Sequence, residues 1–154
     1  MFLAGAIHDR YLSSLWKCFF DRSFFNGHTP FLKDKQIGFV ISGPFGQIHN
    51  LREIFDATTK FQLAGLAGFV SDDMGGNPEI NAALQTLAVQ AAEQSRLGYI
   101  QPPTFYQVAG AKLFRDVIYG RLRPVFQADH RYYKEHGMYN FPQKYYKWRM
   151  INST

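Results

Sequence analysis

The sequence predicts an α/β fold, in which a parallel sheet is covered by helices. Three short apolar segments of strand length alternate with three segments whose apolar residues recur at helical spacing. Each crossover must return the chain to the same end of the sheet, so this alternation indicates parallel strands with helices on both faces. At 154 residues the chain has room for about one ordinary domain with its own core.

The first strand and helix are predicted near the amino terminus. Phe2–Ile7 is a continuous apolar run that predicts a strand, and Tyr11–Phe25 is predicted as a helix. The single cysteine, Cys18, has apolar neighbours in this helix, so we expect an inert core thiol rather than a redox-active one. The apolar residues at helical spacing are Leu12, Leu15, Trp16, Phe19 and Phe20.

A glycine-containing loop separates the second predicted strand from its helix. The strand covers Lys35–Ile41, the loop is Ser42–Gly46, and the helix covers residues 47–63. Small residues in such a loop let the backbone approach a planar ligand, and Phe45 and His49 could stack on it or donate to it. A plain strand-to-helix turn explains the same glycines.

The third predicted unit begins at Leu66–Val70, and an exit loop that contains Asp72 and Asp73 follows it. Asn77 is predicted as the N-cap of a helix that continues to about Leu97. The two aspartates could ligate Mg²⁺, but a solvated turn is the favoured interpretation.

Residues 1–100 are predicted as the α/β domain and residues 101–154 as a basic, aromatic-rich extension. Residues 1–106 hold 8 Lys/Arg against 9 Asp/Glu, or −1, whereas residues 107–154 hold 9 against 3, or +6. Val108–Leu122 is predicted as an amphipathic helix, and Tyr132–Trp148 has no clean period. The extension could cover a second subunit or the domain itself, form an unassigned surface, or contact nucleic acid or lipid.

Composition excludes several classes of function. One cysteine per chain allows neither an intrachain disulfide nor a four-thiolate metal site, which favours a reducing, cytoplasmic setting. No apolar run is long enough to span a bilayer, and no signal peptide is predicted. The five histidines lack metalloprotease spacing and no nucleophile elbow occurs, so we predict no metal site and no hydrolase.

The amino-terminal two thirds of the chain resemble a known family. The chain has, in order, a strand, a loop ending in Tyr11, the helix motif Lys17…Asp21-Arg22, and a strand that follows Lys35 and ends in Ser42-Gly43. This order resembles that of the flavodoxin-like NAD(P)H-dependent FMN reductases. The resemblance covers about residues 1–97. It implies a partial, flavodoxin-like three-layer sheet of about three strands with helices on both faces.

The resemblance also implies a flavoprotein with oxidoreductase activity, related to flavin and quinone reductases. FMN would be the cofactor, NADH or NADPH the co-substrate, and a small molecule the electron acceptor. The flavin would carry the redox chemistry, so we predict no catalytic acid, base or nucleophile from the protein. The implied FMN-binding residues are Gly5, Ala6, Ile7, His8 and Tyr11 in the first loop, and Ser42, Gly43, Pro44, Phe45 and Gly46 in the second.

The resemblance begins at the family's third strand. The family's first two strands and its Ser/Thr/Gly-rich phosphate loop have no counterpart in these 154 residues. We therefore expect Phe2–Ile7 to form an apolar sheet edge, and the chain to be a piece of an oxidoreductase or to need a partner that completes its sheet.

Two other functions compete with the oxidoreductase prediction. One is a flavodoxin-like electron carrier that binds FMN without turning over NAD(P)H. The other is a non-catalytic interaction module that uses its basic aromatic tail. We expect a homo-oligomer, such as a dimer, and we expect neither a membrane span nor a nucleic-acid partner.

Overall fold

The computed structural model describes residues 1–23 and 27–140. It divides the chain into two compact units, residues 1–114 and 115–154. Phe25, the predicted end of the first helix, and the part of Tyr132–Trp148 beyond residue 140 lie outside the described residues.

The predicted α/β fold is confirmed. The described residues form a four-stranded, mostly parallel sheet with the order β2-β1-β3-β4. Strands β1 and β3 are parallel, β3 and β4 are parallel, and only β2 runs antiparallel to its neighbour β1. The strands are β1 (Phe2–His8), β2 (Tyr11–Leu12), β3 (Gln36–Ser42) and β4 (Gly65–Ser71), and the helices are α1 (Ser14–Ser23), α2 (His49–Phe61), α3 (Asn77–Arg96), α4 (Phe105–Val117) and α5 (Gln127–Glu135).

The predicted start of the first helix, Tyr11, was wrong because the chain first makes a tight hairpin. His8 pairs with Tyr11 across a two-residue turn of Asp9 and Arg10, whose φ angles are 48° and 61°. Two consecutive left-handed residues are typical of the type I′ turn that suits hairpin twist. Helix α1 therefore begins only at Ser14.

Helices α1 and α2 cover one face of the sheet. Phe55 of α2 is fully buried, and its ring centroid lies 4.7 Å from that of Phe39 and 5.2 Å from that of Trp16. Leu51 and Thr59, one turn on either side of Phe55, are also buried. The resulting aromatic core joins α1, α2 and β3, and it fixes the loops at the ends of the strands.

Helix α3 covers the opposite face. Leu87 and Ala91 pack with Ala67 and Val70 of β4 in a second, smaller core. The predicted N-cap, Asn77, was wrong by one residue. The cap is Gly76, which holds the extended conformation that the residue before a helix needs, and Asn77 is the first helical residue.

The core position predicted for Cys18 was also wrong. The cysteine is exposed because α1 directs Trp16 and Phe20, one turn apart, into the core, and Cys18 lies between them on the other side of the helix. Leu15 and Phe19, which belong to the same set of apolar residues at helical spacing, are 81% and 43% exposed.

The described residues from 105 to 135 are mostly helical. The predicted helix Val108–Leu122 is α4 up to Val117, and it continues as a π-helical turn over Ile118–Leu122. Within the unit that begins at residue 115, Tyr133 of α5 is buried, and burial raises the pKa of its hydroxyl.

Candidate functional site

Three loops meet at the carboxyl edge of the sheet, where ligand sites of open α/β sheets lie. The first is the Asp9–Arg10 turn after β1, the second joins β3 to α2, and the third joins β4 to α3. The first two are adjacent because Ala6 of β1 pairs with Ser42 of β3. The third is joined to the second by hydrogen bonds, so the fold brings all three loop regions to one edge.

Carboxylates of the third loop bind the amides of the second. Asp72 accepts hydrogen bonds from the Ser42 hydroxyl at 2.7 Å and from the Gly43 N–H at 2.8 Å. Asp73 accepts one from the Gly46 N–H at 2.8 Å. We call the contacts among Ser42, Gly43, Gly46, Asp72 and Asp73 the inter-loop network.

The backbone conformation at Gly43 makes the network possible. Its φ is +120°, which side chains rarely adopt, and a Cβ there would lie 2.5 Å from Cγ1 of Ile7. The buried Ser71 hydroxyl donates to the Gly43 carbonyl at 3.0 Å, which ties β4 to the same residue. Gly43 is therefore held by β1 on one side and by β4 and its loop on the other.

Several residues predicted to contact FMN lie inside the fold. Gly5, Ala6 and Ile7 belong to β1 rather than to a loop, because the strand continues to His8. Ile7 is buried, and a Cβ on Gly5 would fall 2.0 Å from Nε1 of Trp16. Phe45 is also buried, with its ring centroid 5.2 Å from that of Phe69, so this side chain anchors the second loop to the core.

The other predicted residues remain accessible at this edge. His8, Ser42, Pro44 and Gly46 are exposed, and Gly43 is half-buried. Tyr11 is 44% exposed and follows the Asp9–Arg10 turn. The accessible side chains at this edge include the phenol ring of Tyr11 and the imidazole of His8. The backbone amides of Gly43 and Gly46 are already hydrogen-bonded.

The helix motif behind the family resemblance has a local role. Lys17 and Asp21, four residues apart on α1, form an exposed ion pair and hydrogen bond, which raises the pKa of Lys17. Solvent screens such exposed pairs, so they contribute little to stability beyond the local helix. The motif therefore has a structural explanation within α1 that requires no ligand.

Asp72 is stabilised as a carboxylate. The Ser42 hydroxyl and then the Gly43 N–H donate to it, and these hydrogen bonds lower its pKa. Because the folded state favours the charged form, the contribution of Asp72 to stability is present above its ordinary pKa of about 4. It is lost as the pH falls through the lowered pKa.

Replacing Asp72 with alanine is therefore expected to destabilise the protein in a pH-dependent way. At pH 7 we expect a loss of about 1 kcal/mol in the free energy of unfolding, at the low end for charged hydrogen bonds because Asp72 is exposed. Urea unfolding at pH 7 and pH 2.5 measures this loss. The difference in free energy of unfolding between D72A and the wild type should be smaller at pH 2.5. Glu53→Ala, at an exposed acidic position on α2, is the control. Equal stability of D72A and the wild type at pH 7 would show that the hydrogen bonds of Asp72 contribute nothing.

The role of Asp72 and Asp73 was not predicted from the sequence. The two residues were expected in an exit loop as a solvated turn, whereas both bind the neighbouring loop. The available signal was their position directly after β4, since the carboxyl ends of parallel strands share one edge.

Over residues 1–23 and 27–140, no three His, Cys, Asp or Glu side chains are grouped in a way that could hold a metal ion. Within the same ranges, every helix is too short or too polar to cross a membrane.

Comparisons with known proteins gave no match among family models, curated proteins or solved structures. The likeness to FMN reductases therefore rests on the residues named above.

Proposed function

We propose that this chain is an FMN-dependent NAD(P)H oxidoreductase of the flavodoxin-like class, or a piece of one. The supporting observation is that the exit loops of three parallel strands gather at one carboxyl edge. The arrangement of α1 and α2 on one face and α3 on the other is compatible with a flavodoxin-like layout.

The charges at this edge favour the ring of FMN over its phosphate. Asp72 and Asp73 already accept from the Gly43 and Gly46 amides, and they place two negative charges there. A phosphate dianion would be repelled by these carboxylates and would find both amides occupied. The flavin ring is uncharged when oxidised, so it is the part of FMN that this edge can accept.

Tyr11 is the side chain best suited to contact the ring. It is partly exposed beside a turn at the carboxyl edge, and a phenol can stack on a flavin at little conformational cost. Hydride transfer from the nicotinamide would be the chemistry of the flavin itself. The protein would orient the ring and shield one of its faces from water.

Titration of the purified chain with FMN, followed by quenching of flavin fluorescence, tests the proposal. We expect saturable quenching, and we expect Tyr11→Ala to weaken binding about two- to tenfold, because one lost stacking contact is worth about 0.5 to 1.5 kcal/mol. Tyr99→Ala is the matched control, since Tyr99 has similar exposure but follows α3.

The same samples separate the competing functions. Flavin binding together with oxidation of NADH or NADPH supports the oxidoreductase. Binding without turnover favours an electron carrier. Absence of FMN binding contradicts both and favours an interaction module, for which the unit beginning at residue 115 offers exposed Arg121, Arg123, Arg131 and Lys134.

A further inference from the structure

The turn between β1 and β2 carries an arginine in a left-handed backbone conformation. Arg10 has a φ of 61°, and Asp9 before it has a φ of 48°. Glycine and asparagine are typical of these positions in a type I′ turn, and aspartate tolerates them, whereas the Cβ of arginine is strained there. The turn itself therefore does not explain an arginine at position 10, which indicates a use for its side chain.

The side chain of Arg10 is available to a ligand. Arg10 is exposed, and within residues 1–23 and 27–140 its guanidinium makes no hydrogen bond or ion pair, not even with Asp9. The turn projects beyond the last pair of the hairpin, His8 and Tyr11. Arg10 is thus next in sequence to Tyr11, the residue proposed above to contact the flavin ring.

The charges of the three loops are divided between the two sides of the sheet. The loops are residues 9–10, 43–48 and 72–76, and Arg10 is the only lysine or arginine in them. Asp72 and Asp73 belong to the loop after β4, which β3 separates from β1 and its turn. A negatively charged ligand group is therefore repelled on the β4 side and attracted toward Arg10.

Lys17 on α1 is the next cation along the chain, and it is less suited to bind an anion. Its ammonium is already paired with Asp21, so a phosphate would have to compete with that carboxylate. A guanidinium also offers parallel N–H donors that match a phosphate, whereas an ammonium acts as a point charge. Both charge and geometry favour Arg10.

We propose that Arg10 binds the phosphate of the flavin, so that this chain selects FMN over riboflavin. The inference rests on the proposed function, because it adds a phosphate contact to the ring contact at Tyr11. The flexible ribityl chain of FMN joins the ring to the phosphate, so one flavin can reach two neighbouring residues of a hairpin. The phosphate would lie outside the region that Asp72 and Asp73 make negative.

Fluorescence titrations of the full chain with FMN and with riboflavin test the inference. The two flavins share the ring and the ribityl chain and differ only in the phosphate, so the ratio of their dissociation constants isolates the phosphate contact. We expect the wild type to bind FMN about tenfold more tightly than riboflavin at low salt. The ratio should approach one in about 1 M NaCl, because salt screens an exposed charge pair.

Arg10→Gly separates the side chain from the turn. It removes the guanidinium and leaves aspartate followed by glycine, a pair that type I′ turns prefer. We expect this variant to melt no lower than the wild type, to bind riboflavin as the wild type does, and to lose its preference for FMN. Arg22→Gln is the control, because it removes an exposed positive charge in the last turn of α1, and its preference for FMN should be unchanged.

Three results would overturn the inference. Equal affinity of the wild type for FMN and riboflavin would show that the phosphate is not recognised, while the proposed oxidoreductase would stand. A preference for FMN that persists in Arg10→Gly and is lost in Lys17→Gln would place the phosphate at Lys17. Binding of neither flavin would contradict the proposed function and this inference together.

Discussion

Replacing Phe55 with alanine should lower the free energy of unfolding by about 3 to 5 kcal/mol. The side chain is fully buried between α2 and the sheet, and its ring lies within 6.4 Å, centroid to centroid, of the rings of five other aromatic residues. The five are Trp16, Phe20, Phe39, Phe45 and Phe69. Alanine would leave a cavity that these rigid rings cannot fill by small movements.

Urea denaturation followed by tryptophan fluorescence measures this loss, because Trp16 lies against Phe55. Phe31→Ala is the control: Phe31 is 48% exposed, and we expect a change within about 0.5 kcal/mol. Similar losses for the two variants would mean that the aromatic core is not packed as described. The effect also reaches the candidate site, since Phe45 holds the second loop to this core.

Gly5→Ala should destabilise the protein by about 2 to 3 kcal/mol, although it adds only a methyl group. The new Cβ would lie 2.0 Å from Nε1 and 2.5 Å from Cε2 of Trp16. The indole cannot move aside easily, because it packs against Phe20 and Phe55. Thermal unfolding by circular dichroism gives the shift.

Gly120→Ala is the matched control for this substitution. Nothing lies within 4 Å of a Cβ at Gly120, which is in the π-helical turn. There we expect no loss, or a gain of up to about 1 kcal/mol from reduced backbone freedom in the unfolded chain. If Gly5→Ala melts with the wild type, α1 does not pack on β1 in this way. If Gly5→Ala is less stable and also binds FMN more weakly, the weaker binding would be explained by the folding defect and not by a lost contact with the flavin.

The pattern of apolar residues in the sequence predicted the three parallel strands of the sheet. The runs Phe2–Ile7, Lys35–Ile41 and Leu66–Val70 became β1, β3 and β4 with shifts of one residue at their ends. These strands are apolar over most of their length because helices cover the sheet on both sides. The helix predicted to reach about Leu97 ends at Arg96, and Gly98 follows with a φ of 62°, the left-handed conformation that ends many helices.

The candidate site was less predictable because its geometry is not local. The Asp9–Arg10 turn adopts left-handed conformations without the asparagine or glycine that usually signals them. The network joins Gly43 to Asp72, 29 positions apart in sequence, so no local pattern contains it. The resemblance placed Gly5 and Phe45 in a flavin site, but packing against Trp16 and Phe69 explains both residues without a ligand.

The inter-loop network also sets a threshold for access to the second loop. A ligand that needs the Gly43 and Gly46 N–H groups must first displace Asp72 and Asp73. If that opening costs about 2 kcal/mol, only a few per cent of molecules are open at any moment, and the apparent affinity falls about thirtyfold below the intrinsic one. A ligand that contacts only the exposed side chains of the loop would bind the closed form, which most molecules adopt, without any opening. The network would thus make the site selective. An aromatic ring could bind the closed form, whereas an anion that needs the two N–H groups could bind only the rare open form.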